Sequence, residues 1–123
     1  MISFDTFKME DGSPIYMQII RHIKRGIVAG TIRNLDEMPS RRVLSACLGV
    51  NPNTVQKAYR MLEEERIIES HSGAKSYVMI GETQIAQIRE QLLESGAKAA
   101  ISDMKQMGVA RDEAIDLIRR LWE

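Results

Sequence analysis

The sequence predicts a mainly α-helical fold with a small β-hairpin wing. A winged helix-turn-helix occupies residues 1–80, and a two-helix dimerisation tail occupies 81–123. Three observations carry this prediction. Two short helical segments flank Gly49-Val50, each opened by a capping residue beside a proline, Pro39-Ser40 and Asn51-Pro52. Two runs rich in strand formers, 67–71 (IIESH) and 75–80 (KSYVMI), lie on either side of Ser72-Gly73-Ala74. Helical periodicity returns at Glu82 and continues to the end.

The elements follow in order. Ser13-Pro14 opens the first helix, with Ser as the cap and Pro tolerated in the first helical position. Ile15, Ile19, Ile23 and Ile27 recur every four residues, with Ile20 alongside, and form one apolar stripe. Gly30 is placed to end this helix, and Gly26 weakens it from inside. Leu44, Cys47 and Leu48 form the buried face of the second helix, which Gly49 stops. Helix, short glycine-containing turn and helix make a helix-turn-helix. The third helix divides cleanly. Val55, Ala58, Tyr59 and Leu62 share one face, and Asn53, Gln56, Lys57 and Arg60 share the other. A hairpin directly after it is a wing. Ile85, Ile88, Leu92, Ala99, Met104 and Met107 suggest one long helix with a weak point at Gly96 and an end at Gly108. A last helix over 111–122 carries Ile115, Ile118, Leu121 and Trp122, with Asp112 and Glu113 at its positive end.

Composition and charge narrow the function. With 28% charged and 44% apolar residues, the chain reads as soluble and globular. It has no apolar run near the ~20 residues that span a bilayer. The acidic start MISFDTFKMEDGS is no signal peptide, and a single Cys47 forms no internal disulfide, so the expected compartment is the cytoplasm. The net charge is zero, but its distribution is uneven: residues 1–80 hold 11 Lys/Arg and 9 Asp/Glu, residues 81–123 hold 6 and 8. Residues 39–62 contain Arg41, Arg42, Lys57 and Arg60 and no acid, and Glu63, Glu64 and Glu65 follow at once. Phosphate neutralisation depends on the groups at the contact, so this small basic surface suits double-stranded DNA. Taken alone, such a cluster is also an ordinary solvated face.

From Ser13 to Val78 the chain resembles the GntR family of bacterial transcription regulators. The matching stretches are PIYMQIIRHIKRGIVAGTI (14–32), MPSRRVLSACLGVNPNTVQKAYRMLEEERIIES (38–70) and SGAKSYV (72–78). The short two-helix tail resembles the YtrA-like branch. The resemblance implies a homodimer that binds a palindromic operator and represses a neighbouring operon, in that branch often one for an ABC transporter. Some positions depart from the family pattern. Leu35 and Arg66 stand where it has glycine, and Val43 replaces the Glu of R-E-L. In the wing the second glycine is absent and Lys75 is displaced by one residue. Arg42 keeps the place of the family's DNA-contacting arginine.

In that setting the N-terminal end of the third helix enters the major groove, where Asn and Gln suit adenine edges. The candidate DNA-binding residues are Arg41, Arg42, Asn51, Asn53, Thr54, Gln56, Lys57 and Arg60, with His71, Ser72, Gly73 and Lys75 from the wing. Arg41 and Arg42 sit at the positive end of their helix, an unfavourable place for cations that a phosphate would relieve. Arg41 equally suits a pair with Asp36 or Glu37. His71 reads either as a minor-groove contact or as a plain strand residue. The candidate dimerisation residues are Ile85, Ile88, Leu92, Met104, Ile115, Ile118, Leu121 and Trp122, because two helices alone have no third layer to bury them.

Cys47 reads as part of a buried stripe rather than a redox switch. His22, His71 and Cys47 lie too far apart in sequence to make a metal spacing. No cofactor motif or catalytic constellation stands out, so no enzyme, cofactor or metal is expected. A tail of this length leaves room for an effector only at a dimer interface, and no effector is assigned. The competing class is a winged helix used for protein interaction, which the scarcity of aromatic anchors in 39–62 disfavours.

Overall fold

The computed structural model of the chain describes residues 1–10, 12–71 and 75–123. Its elements are α1 (Ile15–Ala29), α2 (Arg41–Leu48), α3 (Pro52–Glu64), β1 (Ile68–Ser70), β2 (Ser76–Val78), α4 (Glu82–Gln106) and α5 (Arg111–Leu121). Contacts separate the chain into two units, Met1–Arg89 and Glu90–Glu123, so the first turns of α4 belong to the first unit. The turn expected at 72–74 lies outside the described residues.

In the first unit α1 buries Ile19, Ile20, Ile23 and Ile27, the expected stripe. Its opening differs from expectation. Pro14, not Ser13, occupies the cap, and no side chain caps the helix. The Pro14 carbonyl accepts from the Met17 and Gln18 N–H groups instead. Gly26 has a positive reason to be glycine. A Cβ there would stand 2.4 Å from the Ile32 Cδ1, and the Gly26 carbonyl accepts from the Thr31 and Ile32 N–H groups at 3.0 Å. The chain thus turns back so closely that Ile32 packs on the helix backbone.

In α2 the Ser40 hydroxyl accepts from the Val43 N–H at 3.1 Å, and Gly49 ends the helix at φ 65°. The expected face needs correction: Cys47 is exposed, and the buried residues are Leu44 and Ser45. Leu44, Ser45 and Leu48 lie within about 100° of one another around the helix, and Cys47 falls outside that arc. Ser45 tolerates burial because its hydroxyl donates to the Val50 carbonyl at 2.6 Å. The expected division of α3 holds: Val55, Ala58, Tyr59 and Leu62 are its buried residues.

β1 and β2 pair antiparallel, with Ile68 opposite Val78, Glu69 opposite Tyr77 and Ser70 opposite Ser76. The strands are shorter than 67–71 and 75–80, though backbone bonds continue past them. The His71 N–H donates to the Lys75 carbonyl and the Met79 N–H to the Ile67 carbonyl, both at 2.9 Å. A third segment joins this sheet without a signal in the sequence. The Leu35 N–H donates to the Val78 carbonyl at 2.7 Å, the Val78 N–H to the Asp36 carbonyl at 2.9 Å and the Met38 N–H to the Ser76 carbonyl at 2.8 Å. The N-terminus adds to its far side, where the Ile2 N–H donates to the Glu37 carbonyl at 2.9 Å and Ile2 is buried.

In the second unit α4 continues unbroken through Gly96, where a weak point was expected. Gly108 ends it at φ 77°, with the Val109 N–H returning to the Met104 carbonyl at 3.0 Å. Of the residues Glu90–Glu123 none is fully buried.

Among the described residues only Leu35 (φ 74°) and Arg66 (φ 60°) take left-handed backbone without being glycine. These are the two positions where the GntR pattern has glycine. A side chain there costs about 1–2 kcal/mol, against the 0.5–1 kcal/mol of extra chain entropy that glycine loses on folding. Leu35→Gly and Arg66→Gly are each expected to stabilise the protein by about 0.5–1 kcal/mol. The check is a urea midpoint that rises at unchanged slope. A falling midpoint would show that these side chains, both exposed, support the turns.

Candidate nucleic-acid interface

Gly49 and Asn51 set where α3 begins. Asn51 accepts from the Asn53 N–H at 2.8 Å, and Pro52 occupies the first turn. Capping therefore engages the Asn51 side-chain oxygen. Because the opposite face is wholly buried, Asn53, Gln56, Lys57 and Arg60 are all exposed, and Thr54 is half-buried. Arg42 is exposed at the start of α2, and among the described residues it makes no ion pair.

The cations differ in how far they are engaged. The Lys57 ammonium lies 4.0 Å from the centre of the Tyr16 ring of α1, a cation–π contact that aims the side chain. Tyr16 was not legible as part of the site, because this contact joins two helices. Arg60 approaches Glu64 only to 4.0 Å at an exposed position, which is worth little. Arg41 is half-exposed and committed. Its guanidinium donates to the Glu63 carboxylate at 2.6 Å and lies 4.8 Å from the Tyr59 ring centre, while its Nε is buried without a partner. The acid it meets is thus Glu63 of α3, not Asp36 or Glu37. The Asp36 carboxylate instead accepts from the Arg33 N–H at 2.8 Å.

On the wing His71 and Lys75 are exposed, with the His71 ring edge-on to Tyr77 at 5.5 Å between centres. Ser72 and Gly73 lie outside the described residues.

The model of the bacterial regulatory proteins of the gntR family matches residues 15–78. The chain belongs to the GntR family. Among its relatives, the HTH-type transcriptional repressor YtrA of Bacillus subtilis is 35% identical over 115 residues, covering 89% of this chain and 85% of that protein. A GntR family transcriptional regulator from Listeria monocytogenes superimposes with a TM-score of 0.78 at 33% identity, over 92% of this chain and 99% of that one. YtrA from Sulfolobus acidocaldarius, a GntR-family transcription factor, gives 0.58 at 32% identity, over 77% and 99%. The protein is a DNA-binding transcriptional regulator with a winged helix-turn-helix, of the YtrA type. The GntR family is one of regulators, not of enzymes. Among the described residues no helix is long and apolar enough to cross a membrane.

The tail residues of this GntR chain fall into groups. Ile88 is buried inside the first unit, 7% exposed, so it is not open to a partner. Ile85, Leu92, Met104 and Ile115 are half-buried, and Ile118, Leu121 and Trp122 are exposed. Met107, part of the expected apolar pattern of α4, is exposed too, as are Leu93 and Ile101, which were absent from the expected set. Leu93 and Ile101 lie off the stripe of Ile85, Ile88 and Leu92. In the second unit Ile101, Met104, Val109, Ala114, Ile115 and Ile118 line an apolar trough of about 450 Å³.

Tyr59 holds the two helices of the GntR motif together. Its ring is fully buried, and its hydroxyl donates to the Pro39 carbonyl. Burial pushes the hydroxyl far above its usual range, with the Arg41 charge opposing, so it stays a donor at any working pH. Tyr59→Phe removes the donor and strands a carbonyl beside the start of α2. The expected loss is about 1–3 kcal/mol of stability in urea unfolding. A loss near zero would show that water reaches that carbonyl.

Proposed function

We propose that the protein acts as a repressor that binds a palindromic operator as a homodimer in the bacterial cytoplasm, controlling an operon such as one for an ABC transporter. The first part, 1–80, binds DNA, and 81–123 dimerises. The carrying observation is the face of α3: Asn53, Gln56, Lys57 and Arg60 are all exposed, with no acid among residues 39–62 of a chain of zero net charge. Asn53 and Gln56, helped by Thr54, read base edges, and Lys57, Arg60 and Arg42 meet phosphates. Asn51 positions the helix start, and His71 and Lys75 approach the backbone beside it. Arg41, engaged by Glu63, holds α2 against α3. The repressor sense follows the name of the Bacillus subtilis relative.

The two kinds of contact separate by experiment. Gln56→Ala is expected to relax preference at one symmetric pair of operator positions, costing about 1–3 kcal/mol there. Lys57→Ala or Arg60→Ala should weaken specific and non-specific binding alike and lower the salt slope by about one unit. Selection sequencing with each variant, together with affinity across a salt series, reads both. An unchanged site profile for Gln56→Ala, or an unchanged slope for both cation variants, overturns the assignment.

The tail supplies the second half-site. A two-fold partner that covers Leu121, Trp122 and the α4–α5 trough would set two recognition helices about 34 Å apart, or a multiple of that. Leu121→Asp or Trp122→Asp is expected to give a monomer in sedimentation. Its operator affinity should fall by about a hundredfold or more, the advantage of linking two half-sites. A stable dimer of both variants would place the interface elsewhere.

A further inference from the structure

We infer that the outer face of α1 carries a binding site for a small phosphate-bearing anion, bordered by the N-terminal residues 1–10. These residues form a strap anchored at both ends. Ile2 is tied to the third sheet segment, where its N–H donates to the Glu37 carbonyl at 2.9 Å. At the other end the buried Gln18 amide clamps Glu10. It accepts from the Glu10 N–H and donates to the Glu10 and Ser13 carbonyls, each at 2.8 Å. Between the anchors the rings of Phe4 and Phe7 pack on His22, at 4.5 and 5.5 Å between centres. The His22 Nε2 lies 3.0 Å from the Ser3 carbonyl, and since a carbonyl only accepts, Nε2 is the donor.

Strap and helix line an open recess of about 190 Å³, with Phe7 in its wall. Lys8, Arg21 and Arg25 line it, and among the described residues Glu10 is the only acid in the lining and none of the three cations is in an ion pair. Arg21 and Arg25 are four residues apart on one helix face, where like charges repel. Such an arrangement favours an anion that two guanidinium forks and an ammonium can share, and phosphate oxygens match that geometry. The Thr6 hydroxyl adds a further polar group to the lining. The DNA backbone is a different occupant. It is disfavoured because the α1 side chains that meet polar groups of α3 and its end are Tyr16, beside Lys57, and Lys24, which pairs with Glu65 at 3.0 Å. Arg21 and Arg25 point to the strap instead.

The probe is inorganic phosphate, titrated calorimetrically into the full-length protein in a chloride buffer, with succinate as the carboxylate control. Saturable phosphate binding is expected, accompanied by a rise in melting temperature. Arg21→Gln combined with Arg25→Gln should weaken it by about tenfold or more, with operator affinity in chloride unchanged. Lys8→Gln, an exposed change on the strap, should weaken it in the same direction if the double variant folds poorly. Absence of saturation, equal binding of succinate, or phosphate affinity indifferent to both sets of changes would overturn the site. So would a double variant with reduced operator affinity and a lower salt slope, which would make these arginines DNA contacts.

Discussion

The bond from the Tyr59 hydroxyl to the Pro39 carbonyl is the constraint on which the DNA-binding unit depends. It joins the middle of α3 to the residue before the cap of α2, twenty positions earlier in the chain. Around it Val55, Ala58 and Leu62 are sealed, so α3 cannot turn about its axis. A rotation by one residue, about 100°, would carry Gln56 or Thr54 toward the core and expose part of the apolar face. The exposed polar stripe is therefore fixed by what lies behind it. Gly49 and the Asn51 cap add the remaining restraint, since they fix the point where the chain enters the helix.

Much of this was legible in the sequence, for a simple reason. α3 has thirteen residues, a cap, a proline in the first turn and two complete opposing stripes, so a single reading satisfies all of them. α2 has only eight, and Leu44, Cys47 and Leu48 formed a plausible face. Ser45 takes a buried place because its hydroxyl bonds the Val50 carbonyl just past the helix end, a contact that apolar periodicity does not show. Segments without periodicity were not legible. Residues 33–38 take their structure from backbone bonds to β2, and residues 1–10 from the Ile2–Glu37 bond and the Gln18 side chain, and no local pattern announces such partners. In the candidate site the stripe of Asn53, Gln56, Lys57 and Arg60 was read directly. The Arg41–Glu63 and Lys57–Tyr16 contacts were not, because each links residues far apart in the chain. Leu35 and Arg66 were legible only as departures from a family pattern, and their backbone angles explain what the pattern's glycines are for.

The two units differ in how they hold together. The first has a sealed core running from Ile19 to Val78, with Ile88 brought in from α4. The second has half-buried residues at best, because two helices cover one side of each other and leave the other side wet. Its order thus rests on helix propensity and a shallow trough, both weak terms for helices of this length. Local opening is expected to be easier there than in the first unit.

Charge resolves how a neutral chain can face a polyanion. At physiological salt, exposed charges are screened beyond about 8 Å, so a phosphate backbone senses the charges nearest to it and not the net charge of the whole chain. The nearest threat is the run Glu63, Glu64 and Glu65, which ends the acid-free stretch. Two of the three are neutralised by neighbouring helices: Glu63 by Arg41 of α2 at 2.6 Å, and Glu65 by Lys24 of α1 at 3.0 Å. Each pair adds little stability by itself. Their larger effect is on the field, because Glu64, which Arg60 approaches only to 4.0 Å, is then the least compensated of the three, and it belongs to the far end of α3 from Asn53 and Gln56. The N-terminal end of α3 is thereby kept free of negative charge, and Arg41, which suited either a phosphate or a nearby acid, pairs with an acid of α3.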